Sequence, residues 1–353
     1  MARTRVGLDI GSSHVRAAEI ATGGTPTLTR IGQVALPPGA VQRGEVRMPE
    51  AVSEAIRELW RRSGFKAREV VLGVGNQRVV VREVTLPSLP DKELRQSLPY
   101  QVQDLVPIPL DQAVLDFDRL EELELEGRQM VRLLVVAAQR EMVDAHVSAV
   151  TDARLEPVGV DLVPFCLVRS IGEYDGLGLE ESEAGGEAVV DVGADVTNIC
   201  VHERGIPRFV RILPSGGREV TRGIAGTLGI SEEEAEIVQR GGSIAPAVPD
   251  EAASQALRER GAGLADEVRS SLDFYRAQTP TAQVSRLRVS GGGSKMPGFV
   301  ELLAERTGVP AARGSLLAKF DVTVDLDPAD LAEAEPLIAV AVGLAMPQEE
   351  GSE

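Results

Sequence analysis

The chain carries the same short motif twice: an apolar strand that runs into an aspartate-glycine turn. Residues 6–13 resemble residues 189–195, and Asp9 and Asp191 are offset by 191 minus 9, or 182 positions, in a chain of 353 residues. Because roughly 150 residues are enough for one domain, a repeat at this spacing predicts two similar units. The fold is therefore expected to contain a duplication.

Each copy of the motif opens a longer pattern of strands and helices. In the first unit a third strand is predicted over 29–36, a helix over 49–64 that begins at a proline and ends at a glycine, and a fourth strand over 70–74. The second unit has corresponding strands at 208–213 and 287–290. Two successive βββαβ units predict a duplicated mixed sheet with helices packed on it, the ribonuclease-H-like unit of the actin superfamily.

Two long insertions interrupt these units. Residues 87–160 combine helical and strand patterns and are predicted to form a small α+β subdomain. In 216–286, Leu264, Val268 and Leu272 recur at helical spacing, which indicates a helical subdomain. The predicted fold is α/β with α+β inserts, an actin/FtsA ATPase fold around a nucleotide cleft. Its predicted parts are core subdomain 1A (1–86, completed by about 161–180 and by a helix over 336–348), inserted subdomain 1C (87–160), core subdomain 2A (185–215 and 287–335) and inserted subdomain 2B (216–286).

The two turns have the chemistry of an ATP site. Such a site needs backbone amides that close on phosphate oxygens and carboxylates that hold the water shell of Mg²⁺. Gly11 and Gly193 allow close backbone approach, and Asp9 and Asp191 are predicted to hold one Mg²⁺ through water. A triple glycine after the strand at 287–290 is expected to face the base or ribose. The other predicted nucleotide contacts are Ser12, Ser13, Arg16, Ala194, Asp195, Thr197, Gly216, Gly217, Gly291, Gly292, Gly293 and Ser294.

Charge and apolar runs narrow the function classes. The net charge of −17 argues against a nucleic-acid partner, which would need a basic surface to offset phosphate charge. The most apolar run, 337–346, is about half of the roughly 20 residues that a membrane-spanning helix needs. Since the N-terminus also lacks the apolar stretch of a signal peptide, a cytoplasmic protein with no direct membrane insertion is expected.

Four stretches give the sequence a resemblance to one known family. Residues 7–13, 104–109, 271–275, and 289–294 together with 340–346 resemble the PilM family, the FtsA-like cytoplasmic proteins of type IV pilus assembly. The resemblance implies binding of ATP and Mg²⁺ and a position at the inner face of the cytoplasmic membrane through partners. The implied partners are a PilN-like bitopic membrane protein, whose N-terminal segment would lie in a groove near 87–160, and other components of the pilus platform.

The resemblance also extends the predicted site, with one departure. The superfamily often places a glutamate and a lysine toward ribose and adenine; Glu236 matches the first, and Gln239 stands at the position of the second. Asp161 is the candidate for a catalytic carboxylate, but no second polar group that could orient a water is evident beside it. Because phosphoryl transfer depends on positioning, at most a slow ATPase is expected. A small-molecule kinase of the same superfamily and an FtsA-like filament-forming protein are the alternatives.

Overall fold

The first repeat folds in the order that its hydrophobic pattern predicts. The computed structural model describes residues 3–23, 25–173, 185–279 and 283–347. Helix α1 has a proline in its first turn, where no N–H donor is needed, and stops at Gly64, whose φ of 68° is left-handed. The elements of this repeat are β1 (Arg3–Ile10), β2 (His14–Thr22), β3 (Thr27–Ala35), β4 (Val41–Gln42), β5 (Glu45–Val46), α1 (Pro49–Ser63) and β6 (Glu69–Val74).

The first insertion forms an antiparallel three-stranded sheet covered by a helix. The elements that follow β6 are β7 (Val79–Pro87), α2 (Asp91–Val102), β8 (Ala113–Leu125), β9 (Arg128–Gln139), α3 (Arg140–Asp152), β10 (Glu156–Leu162) and α4 (Val163–Ile171). The strand order is β7-β9-β8. Leu94 and Leu98 of α2 are buried against Leu133 and Val135 of β9, which gives this sheet an apolar core of its own.

The last part of the predicted range 87–160 packs differently from the prediction. Strand β10 pairs in parallel with β6, so it belongs to the first core sheet. Ala149 and Val150 of α3 are buried in the same apolar cluster as Ile56 and Leu59 of α1. The hydrophobic pattern of a segment indicates its secondary structure but not its partner, and the pairing of β10 with a strand about 90 residues earlier is non-local. The division into four subdomains stays a prediction, and α3 and β10 depart from it.

The second repeat reproduces the first. The strand order β13-β12-β11-β14-β15 corresponds to β3-β2-β1-β6-β10, and in the first sheet β16 adds to the edge beside β3. The register agrees as well, because Leu8 lies opposite Leu72 and Val190 opposite Val289. The predicted duplicated α/β fold is confirmed. The elements are β11 (Gly186–Val192), β12 (Thr197–Glu203), β13 (Ile206–Leu213), α5 (Gly217–Leu228), α6 (Glu232–Gln239), α7 (Asp250–Gln278), β14 (Val284–Ser290), α8 (Phe299–Thr307), β15 (Ala311–Arg313), β16 (Asp321–Val322) and α9 (Pro328–Ala345).

Helices α4 and α9 lie between the two sheets and contact both. A Cβ atom at Gly7 of β1 would be 2.0 Å from the carbonyl oxygen of Ala341, and one at Gly343 would be 2.0 Å from that of Cys166. Glycine at both positions therefore lets α9 pack directly on β1 and α4. The resulting shared cluster contains residues of both helices and of both sheets: Ala18, Ile20, Cys166, Leu167, Val168, Val189, Cys200, Val340, Ala341 and Leu344.

Parts of the expected organisation fall on residues outside the described ranges. These are residues 174–180 of the segment expected to complete the first core, and residue 348 of the C-terminal helix. Among the helices described, none is long and apolar enough to cross a bilayer.

Candidate functional site

The two aspartate-glycine turns have the same local geometry. In the first, the Gly11 N–H donates to the His14 carbonyl at 3.0 Å; in the second, the Gly193 N–H donates to the Val196 carbonyl at 2.9 Å. A Cβ atom at Gly193 would be 2.8 Å from that same Val196 oxygen, so a side chain would open the turn. The repeat in the sequence thus corresponds to two matching turns at the ends of β1 and β11.

The two aspartates that precede these turns both have raised pKa values. Burial raises the pKa of Asp191 to about 7, and the nearby negative charge of Asp9 adds to the shift. Burial also raises the pKa of Asp9, while Arg16 lowers it from 3.9 Å away. Two buried carboxylates close enough for one to raise the pKa of the other are an arrangement that a cation would stabilise.

The partners of these two aspartates differ. Arg16 lies opposite Asp9 in the β1-β2 ladder, and Asn198 lies opposite Asp191 in the β11-β12 ladder. Asn198 is buried, and its Oδ1 atom has no hydrogen-bond partner among the residues that the structure describes. A Cβ atom at Gly75, from the first repeat, would be only 3.0 Å from this oxygen. The second wall of the cleft therefore has an unpaired carbonyl oxygen where the first has a cation.

This set of groups fits a hydrated Mg²⁺ ion. The Asp9 and Asp191 carboxylates and the unpaired Asn198 oxygen are hard acceptors, and Mg²⁺ keeps several of its waters in proteins. The described part of the chain contains no group of three or more His, Cys, Asp and Glu side chains that could hold a metal. The geometry therefore suits an ion bound through water and phosphate better than a closed protein cage.

Asp195, predicted as a nucleotide contact, forms an ion pair. Its Oδ2 atom lies 2.7 Å from Nη1 of Arg218, in the first turn of α5. The Nη2 atom of the same guanidinium donates to the Ser12 carbonyl at 3.5 Å. Arg218, which was not predicted as a site residue, thus joins the two turns. Ser13 lies beside them and forms a hydrogen bond with His14 Nδ1 at 3.0 Å.

The residues predicted around the start of α5 are close to the second turn. The Thr197 hydroxyl, fully buried, donates to the Ser215 carbonyl at 2.9 Å. The Gly217 N–H donates to the Gly193 carbonyl, also at 2.9 Å. A Cβ atom at Gly216 would lie 2.6 Å from that carbonyl. These groups hold the turn in place. They would therefore affect a bound nucleotide through the shape that they give the turn.

The triple glycine has one exposed and two packed members. A Cβ atom at Gly293 would be 2.2 Å from Cγ1 of Val192, and one at Gly291 would be 2.4 Å from the Val192 carbonyl oxygen. Gly292 is exposed, and its Cβ position is free of close contacts. Ser294 is buried and donates to the Gly291 carbonyl at 2.7 Å. Only Gly292 presents a bare surface on which a flat ring could lie.

Glu236 and Gln239 differ in how available they are. Gln239 Nε2 donates to the Gly217 carbonyl at 2.6 Å, and its Oε1 accepts from the Thr221 hydroxyl at 2.9 Å, so both ends of the amide are engaged. Glu236 is half exposed and pairs with Arg240. Burial lowers the pKa of His14, the charges of Arg16 and Arg240 lower it further, and that of Glu236 raises it, so the end of α6 lies near the first turn.

Asp161 is held by structural contacts. Its Oδ1 atom accepts from the Leu162 N–H at 2.7 Å, and its Oδ2 atom forms an ion pair with Arg169, which also donates to the Gly343 carbonyl at 3.2 Å. A carboxylate with both oxygens engaged in this way is poorly suited to activating water.

Arg218 and Asn198 are the site residues that sequence reasoning missed. Asn198 carried a usable signal, because adding the repeat offset of 182 to position 16 gives 198. Arg218 had no comparable signal, since its role depends on the approach of α5 to a turn more than 200 residues earlier.

Comparison with known proteins agrees with the fold described above. The family model described as type IV pilus assembly protein PilM matches residues 7–349. A solved PilM-PilN type IV pilus biogenesis complex is 29% identical, covers 97% of each chain and has a TM-score of 0.82. MreB5 of Spiroplasma citri bound to AMPPNP shares the fold at 12% identity and a TM-score of 0.53, covering 97% of this chain and 95% of its own.

Curated relatives include the cell division protein FtsA. The Pseudomonas aeruginosa protein is 26% identical over 88% of this chain and 82% of its own length. The Bacillus subtilis protein is 24% identical over 72% of this chain, which spans only 61% of that relative. Since the PilM model matches nearly the whole chain, this protein belongs to the PilM family of type IV pilus assembly proteins, with the fold of the actin-like ATPases.

Proposed function

We propose that this protein is an ATP-binding component of the type IV pilus inner-membrane platform that binds the cytoplasmic N-terminal segment of a PilN-like membrane protein. The likeness to the PilM chain of a PilM-PilN complex, over 97% of both chains, is the observation that supports this most strongly. The protein would lie at the cytoplasmic face of the membrane through this partner and other platform components.

The nucleotide is proposed to lie between the two turns with its Mg²⁺ ion. Asp9 and Asp191 would hold the water shell of the ion, the turns at Gly11 and Gly193 would face the phosphates, and Gly292 would face the base or ribose. Bound Mg²⁺ supplies positive charge that offsets the phosphates. The matching turns and the effect of the Asp9 charge on the pKa of Asp191 support this arrangement.

Nucleotide is proposed to act mainly as a structural ligand. Asp161 is engaged by Arg169 and by the Leu162 N–H, which supports slow hydrolysis at most. Bound ATP would set the angle between the halves, and thereby the affinity for the partner segment, only as far as it binds one angle better than another.

The test is a double variant, Asp9→Ala with Asp191→Ala, studied by calorimetry. We expect the wild-type protein to bind ATP with Mg²⁺ and a peptide copied from the N-terminus of its PilN-like partner. The double variant should lose nucleotide binding and also bind the peptide more weakly. Asp325→Ala, at an exposed position just after β16 and outside both the turns and the range 87–160, is the matched control and should bind both ligands normally.

Two outcomes contradict the proposal separately. If the wild-type protein binds no peptide, the assignment of the partner is wrong. If the double variant loses ATP but binds the peptide with unchanged affinity, the coupling between the cleft and the partner is wrong.

A further inference from the structure

Arg218 is the side chain that connects the two turns of the cleft. Its guanidinium contacts the Asp195 carboxylate at 2.7 Å in the second turn and the Ser12 carbonyl at 3.5 Å in the first. The guanidinium and the carboxylate are both largely shielded from water, with side-chain exposures of 27% and 13%. An ion pair this protected is weakened by salt much less than one on the open surface.

The backbone of Arg218 is fixed by a hydrogen bond, while its guanidinium has N–H donors left for another partner. The Arg218 N–H donates to the Ala194 carbonyl at 2.9 Å, which ties the first turn of α5 to the second turn of the cleft. The guanidinium is a planar fork with five N–H donors, and its contacts with Asp195 and Ser12 use only two of its nitrogens. A phosphate that enters between the turns would meet this donor set directly.

Asp195 and a phosphate group would compete for the same guanidinium. A carboxylate carries one negative charge, whereas a terminal phosphate carries more charge and three acceptor oxygens, and arginine binds phosphate well because the geometries match. Left without its arginine, the Asp195 carboxylate would repel the nucleotide. The ion pair with Arg218 offsets this charge until a phosphate binds, so the phosphate must attract the guanidinium more strongly than the carboxylate does.

We propose that Arg218 is the residue through which the cleft distinguishes nucleotides by the charge of their phosphate chain. Arg218 is held by Asp195, and a bound nucleotide draws it away in proportion to its negative charge. ATP therefore gains more from Arg218 than ADP does. This inference rests on the proposed binding of nucleotide in the cleft.

The test compares ATP with ADP, both with Mg²⁺, in calorimetric titrations of three variants. Arg218→Ala should weaken ATP binding by roughly tenfold or more, as expected for losing a hydrogen bond to a charged group, and should weaken ADP binding less. Asp195→Asn, which removes the competing charge, should strengthen ATP binding. Arg222→Ala is the matched control: it lies one turn further along α5, is mostly exposed, and pairs with Glu232. It should change neither affinity.

A second readout follows the ion pair itself. In a double-mutant cycle of Arg218→Ala and Asp195→Asn, thermal unfolding should reveal a coupling between the two side chains in the nucleotide-free protein. That coupling should fall when ATP is saturating. A merely structural ion pair would keep the same coupling with and without ATP.

The outcomes separate this inference from the proposed function. If the wild-type protein binds neither nucleotide, the proposed function fails and this inference fails with it. If the wild-type protein binds both, and Arg218→Ala leaves the ratio of ATP to ADP affinity unchanged, the role of Arg218 is refuted while nucleotide binding stands.

Discussion

Asp191 has a pKa far above that of an ordinary aspartate. Its pKa is about 7 in the folded protein, against 3.8 for an ordinary aspartate, because it is buried and faces Asp9. Between these two pH values the folded state holds a proton that the unfolded state has lost. The contribution of Asp191 to stability is therefore largest at low pH and decreases as the pH rises from about 4 to about 7.

Replacing this carboxylate should stabilise the protein when the cleft is free of ligand. We expect Asp191→Asn to raise the melting temperature at pH 8 and to have little effect near pH 4, since the charged form costs at most about 1.4 kcal/mol per pH unit in the window between. Scanning calorimetry across this pH range, without Mg²⁺ or nucleotide, measures the effect. Asp144→Asn, at an exposed position, is the control and should show no such pH dependence.

The same substitution should have the opposite effect once ligand is present. Because Mg²⁺ is proposed to be held through water by the ionised carboxylate, the wild-type protein should gain stability from Mg²⁺ and ATP at pH 8, and Asp191→Asn should not. Equal stabilisation of both proteins by the ligand would show that Asp191 does not face the metal.

At the residue scale, the internal repeat accounts for most of the site residues that could be predicted from the sequence. The positions of Asp9, Gly11, Asp191 and Gly193 come from matching two copies of one motif. The ion pair between Arg218 and Asp195 could not be predicted in this way, because it depends on the packing of α5, which no local pattern encodes. The commitment of Gln239 to the Gly217 carbonyl is a long-range contact of the same kind.

Among the elements of the fold, the segment after β14 shows how one glycine run can serve two purposes. Gly291 and Gly293 are required by packing, since a Cβ atom on either would overlap Val192. Gly292, between them, is exposed and meets only Leu337 Cδ2 at 3.8 Å. The sequence predicted a bare backbone at all three positions, but only the structure separates the packed members from the exposed one.

Alanine substitutions in this segment should therefore differ sharply. Gly293→Ala should destabilise the protein by about 1–3 kcal/mol, the usual cost of overpacking a core. Gly292→Ala is the matched control for stability and should leave the free energy of unfolding nearly unchanged, while weakening ATP binding because it covers the exposed surface. Denaturant unfolding and nucleotide titration measure the two effects. Equal destabilisation by both changes would contradict this division.

Secondary structure was predicted well where the pattern was local, and less well where partner choice mattered. The helix at 49–64 was recognisable from Pro49, its apolar face and Gly64, and α1 ends within one residue of that range. Strand β10 falls mostly within the range predicted for the inserted subdomain, 87–160. Its pairing with β6 is set by the burial of the first core, which is a property of the assembled sheet.

On the scale of the whole molecule, the shared cluster joins the two halves into one apolar core. Ala18 and Ile20 come from the first sheet, Val189 and Cys200 from the second, and α4 and α9 fill the space between. The middle of α9 also reaches the site, because the Pro336 carbonyl accepts hydrogen bonds from the Gly291 N–H and the Ser290 hydroxyl. One helix thus touches the triple glycine of one half and β1 of the other.

Because the two halves share this cluster, a substitution that destabilises one half is expected to destabilise the other. Leu303, on α8, is fully buried in the core of the second half, and Leu303→Ala should cost about 2–5 kcal/mol. The single tryptophan, Trp60, lies on α1 in the first half and reports on that half alone. We expect its fluorescence transition to shift to lower denaturant concentration together with the circular dichroism of the whole chain. A Trp60 transition that stays in place would show that the halves unfold independently.

The packing of α9 also limits how the two halves can move relative to each other. Pulling them straight apart would expose the apolar side chains of the shared cluster to water, at roughly 25 cal/mol for each Å² uncovered. Turning one half about the α4–α9 pair keeps that surface covered and lengthens mainly the polar contacts at the mouth of the cleft, such as the one between Arg218 and Ser12. The helix pair would then be the axis about which the two halves rotate. Opening of the cleft by this rotation would be restrained mainly by hydrogen bonds and ion pairs.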